Sequence, residues 1–316
     1  MKSPERMAEA DKLMKSGDKA VKKTLFKWTP DWDTAAANYD KAGGIYRVAN
    51  EMDKACYAYE KAADAHYKNN IMGFAARALE NVASIKRDQK QYEASADFYK
   101  KCSDIFVLNE SYDKGSECLV KAAKIMCDIR IDLGIQLYKD ALSIYEVNDR
   151  HAMMGDTWRQ ALAAMLKAEM WTEALELLER LLPTFVKLEQ MPYHHRACLS
   201  ILILKLQMND YPAADKLFMD FCASDTGFAF SDEGKAAEGL LQAFDKGEVE
   251  EVEKMTKGQP FTFLENMMGR VAKGLHKVCM KKEGLGGGAS RPAGVAPGEG
   301  GAAAEAAGDE DDDELL

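Results

Sequence analysis

Few residues in this 316-residue chain are of a type and spacing that could do chemistry. His194, His195 and Cys198 offer metal-type donors close together, and one helical turn would bring His194 and Cys198 to the same side, as a bound zinc requires. Gly286 to Gly288 is glycine-rich in the way of a phosphate-cradling loop, but no strand leads into it and no GK[ST] follows. The carboxylates between Asp220 and Glu233 lack calcium-loop spacing, and the chain contains no HExxH, GxSxG, Walker or dinucleotide-binding glycine pattern. Cysteines 56, 102, 118, 127, 198, 222 and 279 are odd in number and include no CxxC, which reads as reduced thiols acting as small hydrophobes. The expectation is a chain with no catalytic residues, no metal site, no cofactor and no small-molecule substrate.

The element that must carry these residues is a repeat. A pattern of large, small, small, large, small, large residues at relative positions 0, 3, 4, 7, 10 and 14 begins as Trp32, Ala35, Ala36, Tyr39, Ala42, Tyr46. It continues as Met52, Ala55, Cys56, Tyr59, Ala62, His66 and recurs from Met72, Tyr92, Tyr112, Ile131, His151, Trp171, Met191 and Tyr211, slipping by one residue before Ile131. Offsets of 3, 4 and 7 share a helix face and cannot share a strand face. Each unit has room for a helix of about 15 residues and a short turn, so neighbours run antiparallel, and no unit can bury its stripe without the next. His194, His195 and Cys198 fall at packing positions of the ninth copy, which accounts for them without a metal. The predicted fold is all-α: a right-handed solenoid of antiparallel helical hairpins, tetratricopeptide-like, over 1–227, a C-terminal helical bundle over 228–282, and a Gly/Ala-rich linker with an acidic tail over 283–316.

Charge is divided unevenly. From residue 283 onward nine acids face one base, a net of −8 out of a total of −10, so the body is nearly balanced. A nucleic-acid binder would show a basic excess, so that class is disfavoured. The longest apolar stretch, Leu199 to Leu206, is short and broken by Ser200 and Lys205, and the polar N-terminus MKSPERMAEADKLMK reads as a first helix. A cytoplasmic protein is expected. Three features escape the repeat. Leu25, Phe26 and Trp28 place large apolar side chains in a loop, where they either staple back onto a helix with Thr29 as N-cap and Pro30 as first residue or dip into a membrane interface beside Lys22, Lys23 and Lys27. Lys100, Lys101, Lys114, Lys121, Lys124, Lys139 and Arg159 lie off the packing positions and are predicted to face solvent. The chain closes on an acidic run ending Glu314, Leu315, Leu316, suited to a docking peptide.

These residues carry a resemblance along essentially the whole chain. The 20-residue period, ANYDKAGGIYR (37 to 47), AYEKAADAHYK (58 to 68), the apolar loop, MMGRVAKGLHKV (267 to 278) and the acidic, leucine-bearing terminus resemble the soluble NSF attachment protein (SNAP) family, the gamma type most. The helix pair here takes about 40 residues against 34 in ordinary tetratricopeptide modules. The resemblance implies a non-enzymatic adaptor that binds assembled, syntaxin-containing SNARE four-helix bundles, recruits the NSF hexamer, and supports SNARE disassembly in vesicle trafficking, with weak, peripheral membrane association. It implies ATPase stimulation through Glu314, Leu315 and Leu316, membrane contact through Leu25, Phe26 and Trp28, and a SNARE face drawn from the seven basic residues above. A peptide-binding co-chaperone or scaffold of tetratricopeptide type is the other reading of the repeat.

Overall fold

The computed structural model describes residues 3–23, 28–224 and 226–285. The described residues form an all-α solenoid of antiparallel helical hairpins. Its first eleven helices are α1 (Ser3–Val21), α2 (Trp32–Val48), α3 (Met52–Lys68), α4 (Met72–Asp88), α5 (Tyr92–Leu108), α6 (Tyr112–Cys127), α7 (Ile131–Val147), α8 (Gly155–Lys167), α9 (Trp171–Lys187), α10 (Met191–Gln207) and α11 (Tyr211–Ala223). Then come α12 (Asp232–Lys246), α13 (Val249–Met255), α14 (Gln259–Thr262) and α15 (Asn266–Leu285). Nine of the ten expected helix starts match to the residue. The helices fill more of each unit than expected, α2 to α5 each running 17 residues or about 25 Å.

The period comes from one joint used again and again. After α2, Asn50 N–H donates to the Arg47 carbonyl at 3.1 Å and Glu51 N–H to the Tyr46 carbonyl at 2.9 Å, with Asn50 in the left-handed region at φ 63. This is a Schellman cap. Glu51 also starts the next helix, its carbonyl accepting from Ala55 N–H at 2.9 Å, so the residue that closes one helix opens the other. Left-handed residues recur at the same place in Asn70, Lys90, Glu110, Asp149, Glu169, Glu189 and Asn209. The exception is the turn between α6 and α7. There α6 is 16 residues long, no residue of the joint 128–130 is left-handed, and Arg130 N–H reaches the Met126 carbonyl at 2.7 Å. The tighter join draws α7 against Cys127 so closely that Gly134 has no room for a Cβ, which would meet the Cys127 nitrogen at 2.7 Å.

Two expectations are corrected. His151 does not begin an α-helix: His151–Met153 is a 3₁₀ turn, and α8 starts at Gly155. Met154, Trp158, Ala161 and Met165 are buried at the positions the repeat assigns, so packing is kept while the first turn is given up. Ser116 and Thr157, a buried hydroxyl pair at 3.4 Å, hold that shortened start against α6. Nor is Thr29 the N-cap of α2 or Pro30 its first residue. Asp31 caps the helix, its carboxylate accepting from Thr34 N–H at 3.0 Å, favoured by the positive end of the helix.

Side chains join helices two apart, which sorts the solenoid into two rows. Lys61 of α3 reaches Asp18 of α1 at 2.8 Å, and Arg180 of α9 pairs with Glu146 of α7 at 2.6 Å. On the other row Arg47 of α2 meets Asp88 of α4 at 3.7 Å, and Lys121 of α6 meets Glu80 of α4 at 2.7 Å. A continuous core runs from Ala76 in α4 to Cys279 in α15, and Met268, Ala272 and Leu275 of α15 are fully buried within it. The closing helix thus packs on α8 and α10.

A left-handed glutamate is costly where glycine is not. Glu110→Gly is expected to stabilise the fold by about 0.5–1 kcal/mol, from the balance of left-handed strain against glycine's chain entropy. Thermal melting followed by circular dichroism checks this, and an unchanged or lowered midpoint would mean the joint is not strained.

Candidate partner-binding face

The chemistry-bearing residues were absorbed by packing. His194 and Cys198 are buried on α10, Cys198 Sγ lying 3.7 Å from His194 Nδ1, and burial pushes the imidazole pKa down. Burial pushes the Cys198 thiol up to about 12, far from a reactive thiolate. His195 turns away to hydrogen-bond the Thr226 carbonyl at 2.9 Å. Among the described residues no group of three or more His, Cys, Asp or Glu is placed to hold a metal. Cys56, Cys102, Cys118, Cys127, Cys198 and Cys222 are unbridged thiols.

The seven basic candidates do not share one surface. Lys100 and Lys101 lie on α5 and Lys139 on α7, in the odd-numbered row. Lys114, Lys121 and Lys124 lie on α6 and Arg159 on α8, in the even-numbered row. They differ also in how free they are. Burial alone would lower the Lys121 ammonium pKa, but Glu80 at 2.7 Å and Glu117 at 2.9 Å outweigh it and raise it, so this cation is an internal tie. Lys139 leans on Glu176 at 3.6 Å. Arg159 is a hub: it meets Asp156 at 3.0 Å, Glu265 at 3.2 Å and the Tyr193 hydroxyl at 3.2 Å, and covers the rings of Trp158 and Tyr193. Trp158, Phe185 and Tyr193 pack edge-on and stacked beneath it, around a cavity of about 160 Å³. Lys100, Lys101, Lys114 and Lys124 are exposed, Lys101 above the Phe98 ring and Lys114 above that of Phe106.

What single residues obscure, the rows show together. Helices α2, α4, α6, α8 and α10 carry twelve Lys and Arg against seven Asp and Glu, a net of +5. Helices α3, α5, α7, α9 and α11 carry nine against fourteen, a net of −5. A nearly neutral body is therefore two oppositely charged faces, and α10 contributes no acid at all. Sequence reasoning passed over Lys86, Arg87 and Lys167, which belong to the same even row; alternating the helices between two rows and counting charge on each would have found them.

Of the apolar loop, Trp28 is 83% exposed and does not staple onto α2. Leu25, Phe26 and Lys27 lie outside the described residues, as do Glu314, Leu315 and Leu316. No described helix is long and apolar enough to cross a membrane.

The chain matches the family model described as Soluble NSF attachment protein, SNAP, over residues 5–258. It is 32% identical over 267 residues to a gamma-soluble NSF attachment protein of Dictyostelium discoideum, covering 84% of this chain and 82% of that one. It is 32% identical over 268 residues to the Arabidopsis thaliana protein of the same description, covering 85% and 92%. The vesicular-fusion protein SEC17 of Komagataella phaffii is 24% identical over 77% of this chain and 85% of its own.

Arg159 binds the closing helix to the repeat through Glu265, next to the start of α15. Arg159→Met is expected to cost about 1 kcal/mol, the scale of a half-exposed pair, and to raise amide hydrogen exchange at 264–272 while leaving α2 to α5 unchanged. Undiminished protection at 264–272 would mean the apolar core alone seats α15.

Proposed function

Because the chain belongs to the soluble NSF attachment protein family, we propose that it is a non-enzymatic adaptor that binds assembled SNARE four-helix bundles and brings the ATPase NSF to them for disassembly in vesicle trafficking. In this reading the even-numbered row lies along the side of the bundle. The observation that carries it is the opposite charge of the two rows, +5 against −5. A positive face of several parallel helices complements an acidic helical bundle, speeds its encounter and sets which side docks. The acidic run before Leu315 and Leu316 is the segment offered to the ATPase, and Trp28, bare in its loop beside exposed Lys22 and Lys23, is suited to weak contact with an anionic membrane surface.

The two rows make different predictions. Reversing Lys114 and Lys124 to Glu is expected to weaken binding of assembled SNARE bundles about tenfold or more, some 1.4 kcal/mol, with the loss shrinking as salt rises. Reversing Lys100 and Lys101 should leave affinity within about twofold, well under 1 kcal/mol. Equal effects from both pairs, measured by titration against labelled bundles, would reject the row assignment. Deleting Leu315 and Leu316 should preserve bundle binding and reduce stimulation of NSF ATP hydrolysis; stimulation at the full-chain level would remove the tail from the mechanism.

A further inference from the structure

Between the C-terminal ends of α6 and α8 lies a cleft of about 480 Å³, at the one joint between α2 and α11 that lacks a left-handed residue. Lys124 and Lys167 stand on its rim, with Asp128 the single acid beside them, and Ile131, Tyr138 and Ala164 form an apolar floor. Both lysines are exposed, and among the described residues neither forms an ion pair, unlike Lys121 one turn away, which is held by Glu80 and Glu117. Such a cleft fits a segment with carboxylates beside aliphatic side chains. The same chain contains one: Asp309 to Glu314 is all acid and runs directly into Leu315 and Leu316.

Residues 286–308 separate that segment from the described body. α15 packs on α8 and α10, and the described residues end with it at Leu285. The intervening residues 286–308 can span at most roughly 75 Å of fully extended chain, so the acidic run is tied to the cleft as a partner within one molecule. We propose that this cleft is the resting site of the chain's own residues 309–316, their carboxylates pairing with Lys124 and Lys167 and their leucines covering Ile131, Tyr138 and Ala164. Both lysines belong to the even row, so an acidic helical bundle arriving there displaces the run. The ATPase is then offered the tail only when substrate is bound. The displacement rests on the function proposed above; the docking does not.

The test uses the full chain without partners. Zero-length carbodiimide cross-linking followed by mass spectrometry should join acids of 309–314 to Lys124 and Lys167 within the monomer, and these links should fall about fivefold or more at 0.5 M salt, where screening is strong. Links spread equally over Lys100, Lys101 and Lys139, or confined to dimers, would overturn the docking. A variant carrying Asp309→Asn, Asp311→Asn, Asp312→Asn and Asp313→Asn leaves the helical body intact and should lose amide protection over 124–131; unchanged protection would also overturn it. Adding assembled SNARE bundles should remove the links. Links that persist with bundle bound refute the displacement, while a chain that binds no bundle yet keeps its links refutes the proposed function and, with it, the displacement, but not the docking.

Discussion

Everything in this molecule depends on a joint of three residues. A C-cap, a left-handed residue and a third residue that both completes the Schellman cap and begins the next helix reverse the chain with almost no loop. Because the same backbone bonds recur at every joint between α2 and α11 except that of α6 and α7, the helices they join enter at the same phase, and small residues at positions 3, 4 and 10 meet the neighbour in most copies. Buried Ala35, Ala55 and Ala75 in successive helices show that constancy. The side chain of the left-handed residue varies freely among Asn, Lys, Glu and Asp, which indicates that backbone hydrogen bonds, rather than residue preference, hold the turn.

Regular joints sort the surface as well as the core. Alternate helices fall in alternate rows, so any difference in charge between odd and even helices becomes a difference between two faces. The odd row gathers a net −5 and the even row +5, although neither helix nor hairpin is strongly charged by itself. A surface of this kind is suited to extended charge complementarity. Buried His194 and Cys198 and half-buried His195, each hydrogen-bonded, fit that division: residues that resemble a site are spent on packing.

Much of the fold is legible in the sequence because a 20-residue period of large and small residues has few physical solutions. Trp32, Met52 and Met72 begin helices where the spacing says they must. His151 fails because burial of Met154 and Trp158 satisfies the packing pattern without the first helical turn, and spacing alone does not distinguish the two. Asp31 was passed over in favour of Thr29 because a proline invites a cap just before it, while the backbone here places the carboxylate two residues later. The basic face was only half legible. Position off the packing stripe predicts solvent exposure correctly for Lys101, Lys114 and Lys124, yet says nothing of partners on other helices or joints, so the ties of Lys121 to Glu80 and of Arg159 to Glu265 emerge only in three dimensions.

The central claim is that a charge-sorted helical solenoid serves as an adaptor between an assembled bundle and an ATPase. Its most direct measurement is capture of the full chain on immobilised, assembled SNARE complexes, followed by addition of NSF and then of ATP with magnesium. The account predicts that the chain is retained on assembled complexes and not on separated SNARE strands, that NSF is retained only through it, and that ATP hydrolysis releases the bundle. Equal retention on separated strands, or retention of NSF and ATP-driven release in the absence of the chain, would contradict it.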